Sequence, residues 1–123
     1  MAASESNIQA LVRLEAANRG WQLFRNNRGA ATLSNGSYVR FGLANDSKQI
    51  GDMLKSGDLI GWRPVVITPE MVGRTIAVFT SIECKASDWR PTSSEREAAQ
   101  RRWADLVNRY GGYAIFCNDP TKL

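Results

Sequence analysis

The sequence predicts an α/β chain of the α+β kind, and three observations carry that expectation. Apolar residues recur at helical spacing near both ends, as Ile8, Leu11 and Val12 and again as Ala99, Trp103, Leu106 and Tyr110. Short apolar runs lie between them, two of which flank Asn35-Gly36, the signature of a tight hairpin. A last apolar run, Tyr113-Ala114-Ile115-Phe116-Cys117, follows the second helix. Strand, helix, strand in that order implies a right-handed crossover and a locally parallel pair.

In chain order, Ser4 is the expected N-cap of a first helix that runs to about Asn18, with Gly20 as its stop. Glu5 falls in its first turn, where a carboxylate favours the helix dipole. Glu15 falls near the middle of the apolar face. Trp21-Gln22-Leu23-Phe24-Arg25 reads as a strand and Asn26-Asn27-Arg28-Gly29 as a polar turn. The hairpin joins Thr32-Leu33 to Tyr38-Val39-Arg40-Phe41. Residues 43–57 read as a loop with one helical turn.

Asp58-Leu59-Ile60-Gly61-Trp62 is expected to begin the sheet core, and Pro64-Val65-Val66-Ile67-Thr68 to continue it. Residues 75–85 give the strongest strand pattern. Ile76, Val78, Ile82 and Cys84 would make its apolar face, and Phe79, Ser81, Glu83 and Lys85 a mixed face that ends in charge. Ser94 with Glu97 forms a capping-box pattern for the last helix, which Gly111 closes.

A chain of 123 residues suits one domain, expected over residues 1–123. Hydrophobic residues make up 43% and charged residues 23%, ordinary for a globular protein. No apolar stretch is long enough to span a bilayer, and the start lacks a signal-peptide pattern, so a cytoplasmic, non-membrane protein is expected. The net charge of +4 and a pI near 9.4 suit a polyanionic partner. There is no histidine. That excludes Ser–His and Cys–His nucleophiles and histidine-held zinc. The only cysteines, Cys84 and Cys117, cannot make an all-thiolate zinc site and are expected as buried thiols. Any metal must therefore rest on oxygen ligands, which points to Mg²⁺ or Mn²⁺.

Glu83-Cys84-Lys85 carries the chemistry. Residues two apart on a strand share a face, so an acid and an ammonium stand together. An isolated Glu-x-Lys is more often a surface pair on an edge strand. With a second acid, Asp58, brought alongside by a hairpin-like pairing of the two strands, the set suits metal-assisted phosphodiester hydrolysis. Gln100 is either a boundary residue of the last helix or a hydrogen-bonding partner of the phosphate, the water or Lys85. Arg25, Asn26, Asn27, Arg28 and Arg40 surround the hairpin, where guanidinium groups and backbone amides can meet phosphate. Trp62 reads as core, and Trp89 as either core or a base-stacking platform.

The ordered set Ser4-Glu5-x-x-Ile8-Gln9, Leu23-Phe24-Arg25-Asn26-Asn27-x-Gly29-Ala30, Ser56-Gly57-Asp58-Leu59-Ile60-Gly61-Trp62, Ile82-Glu83-x-Lys85, then Gln100 and Gly111-Gly112 resembles a stand-alone VRR-NUC (virus-type replication-repair nuclease) domain. Such domains are found largely in phages and prophages and belong to the PD-(D/E)xK superfamily. The resemblance implies a central mixed β-sheet flanked by helices, a restriction-endonuclease-like core. It implies a divalent-metal site with Asp58 and Glu83 as ligands and the Cys84 backbone carbonyl completing it. Lys85 would be the catalytic lysine, Gln100 the glutamine of the last helix, and Glu5 the acid of the first, with Glu15 as the alternative. Gly57-Asp58 stands where the family usually has Pro-Asp, and Cys84 where it has an apolar β-branched residue whose side chain faces the core.

The expected function is a metal-dependent DNA endonuclease of phage replication, recombination or repair, acting as a homodimer in the bacterial cytoplasm on branched DNA such as four-way junctions. No small-molecule cofactor is expected. The rival is a non-catalytic DNA- or junction-binding module that keeps the nuclease fold.

Overall fold

The computed structural model describes residues 3–123. Met1 and Ala2, part of the N-terminal stretch read above, lie outside the described residues. The architecture is mixed α and β, with three α-helices and three two-stranded sheets among the described residues. The chain divides into two compact units, Met1–Arg63 and Pro64–Leu123. No helix among the described residues is long and apolar enough to cross a membrane.

The first unit opens with α1 (Glu5–Asn18). Ser4 caps it as expected, its hydroxyl accepting from the Asn7 N–H at 3.2 Å. Of its residues only Ala16 is buried, where the helix meets the first strand. Strand β1 (Gln22–Arg25) pairs antiparallel with β4 (Leu59–Trp62), setting Leu23 opposite Gly61 and Arg25 opposite Leu59. Phe24 and Trp62 meet diagonally on this ladder with ring centroids 5.6 Å apart, and Trp62 is half-buried. Between them, β2 (Gly29–Thr32) and β3 (Tyr38–Phe41) form the expected hairpin. Gly36 adopts φ +87° in its turn, a backbone conformation that glycine reaches without penalty. The single helical turn expected in residues 43–57 is α2 (Lys48–Met53), capped by Ser47.

The second unit holds β5 (Thr80–Cys84), α3 (Glu95–Arg109) and β6 (Tyr113–Cys117). β5 and β6 pair in parallel, Ser81 beside Ala114 and Glu83 beside Phe116, as strand–helix–strand order requires. Helix α3 packs on both strands. Val107, only 1% exposed, is the centre of this small core.

Two expected strands are shorter or absent. Residues 64–68 form no strand, and Val65, Val66 and Ile67 are exposed. Pro64 and Pro69 bracket the run and remove ladder donors. In residues 75–85 only Thr80–Cys84 is strand. The partner β6 begins at Tyr113, whose N–H meets the Phe79 carbonyl at 2.9 Å, so residues before that point have no edge in β6 to pair with.

The face assignment of β5 also reverses. Ser81, Glu83 and Lys85 turn toward α3, where the Trp103 indole N–H donates to Ser81 Oγ at 2.9 Å. Ile76 and Val78 are exposed, and so is Cys84, whereas Cys117 is buried. The expectation of two buried thiols therefore holds for Cys117 alone. α3 carries polar groups, Gln100 and the Trp103 indole, that can satisfy the charged face, so that face becomes the covered one.

Candidate functional site

Glu83, Lys85 and Gln100 meet in the second unit. β5 presents the acid, Lys85 follows one residue past the strand's end, and α3 presents the amide across from them. Lys85 Nζ donates to Gln100 Oε1 at 2.8 Å, and Gln100 Nε2 donates to Glu83 Oε1 at 2.8 Å. The amide thus reads both charges at once, its oxygen toward the cation and its nitrogen toward the anion. Of the two readings of Gln100, boundary residue or hydrogen-bonding partner of Lys85, the contact with Lys85 is present.

A second acid lies beside them. Glu97 Oε2 is 3.8 Å from Lys85 Nζ, with both side chains largely buried. Glu97 does not complete the expected capping box. Ser94 Oγ accepts from the Glu97 N–H at 3.2 Å, but the Glu97 carboxylate turns to Thr92. Its Oε1 accepts from the Thr92 N–H at 2.7 Å and from Arg101 Nη1 at 3.2 Å. Its Oε2 accepts from Thr92 Oγ1 at 3.1 Å and from the Trp89 indole N–H at 3.3 Å. These contacts, the Thr92 N–H foremost, hold the carboxyl below the usual glutamate range, against the opposing effect of burial.

Two aromatic rings close the site. Lys85 Nζ lies 5.8 Å from the Trp89 ring centre and 5.5 Å from that of Phe116, within cation–π range. The two rings meet edge to face with centroids 5.4 Å apart. Trp89, open between core and base stacking, is thus part of this cluster. Ser81, Glu83, Gln100, Trp103, Ala114 and Phe116 help line a pocket of about 30 Å³. That is room for a water or two, not for a nucleotide.

Asp58 belongs to the first unit, exposed at the start of β4; that strand pairs with β1, and β5 pairs with β6, so the expected hairpin-like pairing of the Asp58 strand with the Glu83 strand does not form. The Asp58 carbonyl accepts the Asn26 N–H at 2.9 Å, one step beyond the β1–β4 ladder. Glu5 is exposed in the first turn of α1. Glu15 is exposed too and pairs with Arg19 at 3.1 Å, so it does not sit against apolar neighbours as the helical pattern suggested. No group of three or more Asp, Glu or Cys side chains among the described residues gathers in a metal-holding cluster.

The residues expected to meet nucleic acid divide sharply. Arg25 and Asn27 are exposed. Asn26 is committed internally, donating to Ser56 Oγ at 2.8 Å and Gly57 O at 2.8 Å. Arg28 Nη2 donates to Gly51 O at 2.5 Å and to Asn45 Oδ1 at 3.4 Å. Arg40 Nη1 donates to the same oxygen at 3.2 Å. The centre of this knot is Asn45, 5% exposed, which the sequence left inside an undifferentiated loop.

Comparison of the chain with family models, curated proteins and solved structures finds no match.

Proposed function

We propose that the chain is a divalent-metal-dependent DNA endonuclease of the VRR-NUC type, with a restriction-endonuclease-like core. The observation that carries the reading is the continuous Glu83–Gln100–Lys85 hydrogen-bonded chain. An acid, an amide and an ammonium from one strand and one helix are what the sequence resemblance asks of these positions. The resemblance would give a metal the Asp58 carboxylate, the Glu83 carboxylate and the Cys84 carbonyl, oxygen donors of the kind that suits Mg²⁺ or Mn²⁺. A bound ion would supply Lewis-acid activation of water and offset phosphate charge. Lys85 would orient the attacking water and neutralise developing charge, and Gln100 would keep Lys85 and Glu83 apart and aligned. A homodimer would present two such sites to a branched substrate, in the cytoplasm of a phage-carrying host. Arg25, with a net charge of +4 behind it, would contact phosphate.

One observation favours the second reading, a binding module that keeps the fold: Lys85 is only 17% exposed and already holds partners within its own unit. The deciding experiment is cleavage of a labelled four-way junction, a flap and a linear duplex with Mg²⁺, Mn²⁺ or EDTA. Metal-dependent cutting that is abolished in Glu83→Ala and Lys85→Ala is expected, with a loss of about a hundredfold or more. Tight junction binding without cutting in either metal would move the assignment to the binding module.

A further inference from the structure

We infer that Glu97 is the positioning residue for Lys85, acting on it both by its charge and through the Trp89 ring. The inference rests on the proposed role of Lys85 in cleavage. A glutamate three residues after a helix N-cap usually turns back to the cap's own N–H. Here the Ser94 N–H goes to Thr92 Oγ1 at 3.4 Å, and Glu97 spends both oxygens elsewhere. Its placement is therefore not explained by capping. Its carboxylate is fixed by Thr92 and Arg101 and is only 6% exposed, so it can impose a position on a flexible neighbour. The neighbour is Lys85, whose long side chain has many rotamers to lose.

Two routes connect them. The direct one is the 3.8 Å approach of opposite charges at a poorly solvated place, where such attraction is weakly screened. The indirect one is the Trp89 indole, held by Glu97 Oε2 at 3.3 Å, with its face toward the ammonium. Gln100 anchors Lys85 from one side, and Glu97 fixes both a charge and a wall on another. Removing the charge leaves the Gln100 contact but frees the ammonium to swing.

The test uses the full chain and the isosteric Glu97→Gln, with two readouts. In the parent, ring currents from Trp89 and Phe116 are expected to displace the Lys85 ε-methylene NMR signals upfield of those of the other lysines. Glu97→Gln is expected to return them toward free-lysine values and to move the Trp89 indole N–H signal. Unmoved Lys85 signals overturn the inference. On a junction substrate, Glu97→Gln is expected to lower kcat by about a hundredfold with KM unchanged. The double variant Lys85→Met/Glu97→Gln should be no slower than Lys85→Met alone, because the acid acts through the lysine. Losses that simply multiply overturn it. Where Glu97→Gln fails to fold, Glu97→Asp, which withdraws the charge by one methylene, takes its place with the same expected shift and the same overturning result. A parent that never cleaves defeats the nuclease reading, and the Lys85 signals then decide by themselves whether Glu97 places the ammonium.

Discussion

Glu97 also has a consequence for stability that follows from its contacts one by one. The Thr92 N–H, the Trp89 indole, the Thr92 hydroxyl and the Lys85 charge favour its ionised form, so its folded carboxyl ionises below the usual glutamate range. A depressed folded pKa means the unfolded chain binds the proton more readily. The stabilisation is complete above the ordinary glutamate pKa of about 4.3 and is lost as pH falls through the lower folded value. Thermal unfolding followed from neutral to acid pH should show this, and Glu97→Gln should remove that part of the acid slope. Parent and variant curves that stay parallel through the acid limb would defeat the assignment. None of this was legible in the sequence, where Ser94-x-x-Glu97 is an ordinary capping pattern. A carboxylate's alternative partners are set by which loop happens to fold over it. Asn45 escaped notice for the same reason. Its amide donates to Gly29 O at 2.8 Å and Phe41 O at 3.0 Å while its oxygen takes two guanidinium groups, and nothing local to residues 43–47 announces those distant partners.

The elements themselves were largely written in local chemistry. Helices α1 and α3 begin where Ser4 and Ser94 can cap them, and the β2–β3 hairpin turns at Asn35-Gly36. Strand ends were not, because a strand is as long as the edge it finds, and β6 offers β5 no edge before Thr80. Which face of β5 is covered was likewise decided by the polar groups of α3 and not by the alternation of Ile82 and Cys84. Glycine positions show the same division between local and pairing constraints. A Cβ on Gly61 would collide with the Gln22 carbonyl oxygen in the opposing strand, whereas one on Gly57 would meet only the Leu59 oxygen at 3.8 Å. Gly61→Ala should therefore cost about 3 kcal/mol through a displaced β1–β4 ladder, and Gly57→Ala should lie within about 0.5 kcal/mol of the parent. Urea unfolding of the two variants side by side checks this; equal midpoints would mean the close approach at Gly61 is not present in solution.

For the whole molecule, a formal charge of +4 says that association with a polyanion should weaken as salt is added, but not which cations take part. The fold of the first unit discriminates among them. Arg28 and Arg40 spend donors on Asn45 and the Gly51 carbonyl, tying the hairpin to α2, while Arg25 is exposed. Charge and structure are thus separable by mutation. Arg25→Ala should leave the urea midpoint unchanged and lower the slope of log K against log salt by about one for junction DNA, as expected when one phosphate contact is removed. Arg28→Ala removes the part-buried contacts to the Gly51 carbonyl and Asn45 Oδ1, so it should lower stability by roughly 1–3 kcal/mol. Its effect on the salt slope should be small when binding is measured well below the unfolding midpoint. The measurement is fluorescence anisotropy of a labelled junction across a salt series, paired with urea unfolding of the same preparations. If Arg28→Ala lowers the slope and spares stability while Arg25→Ala does neither, the phosphate-facing role belongs to Arg28, and the Asn45 knot must open when DNA binds.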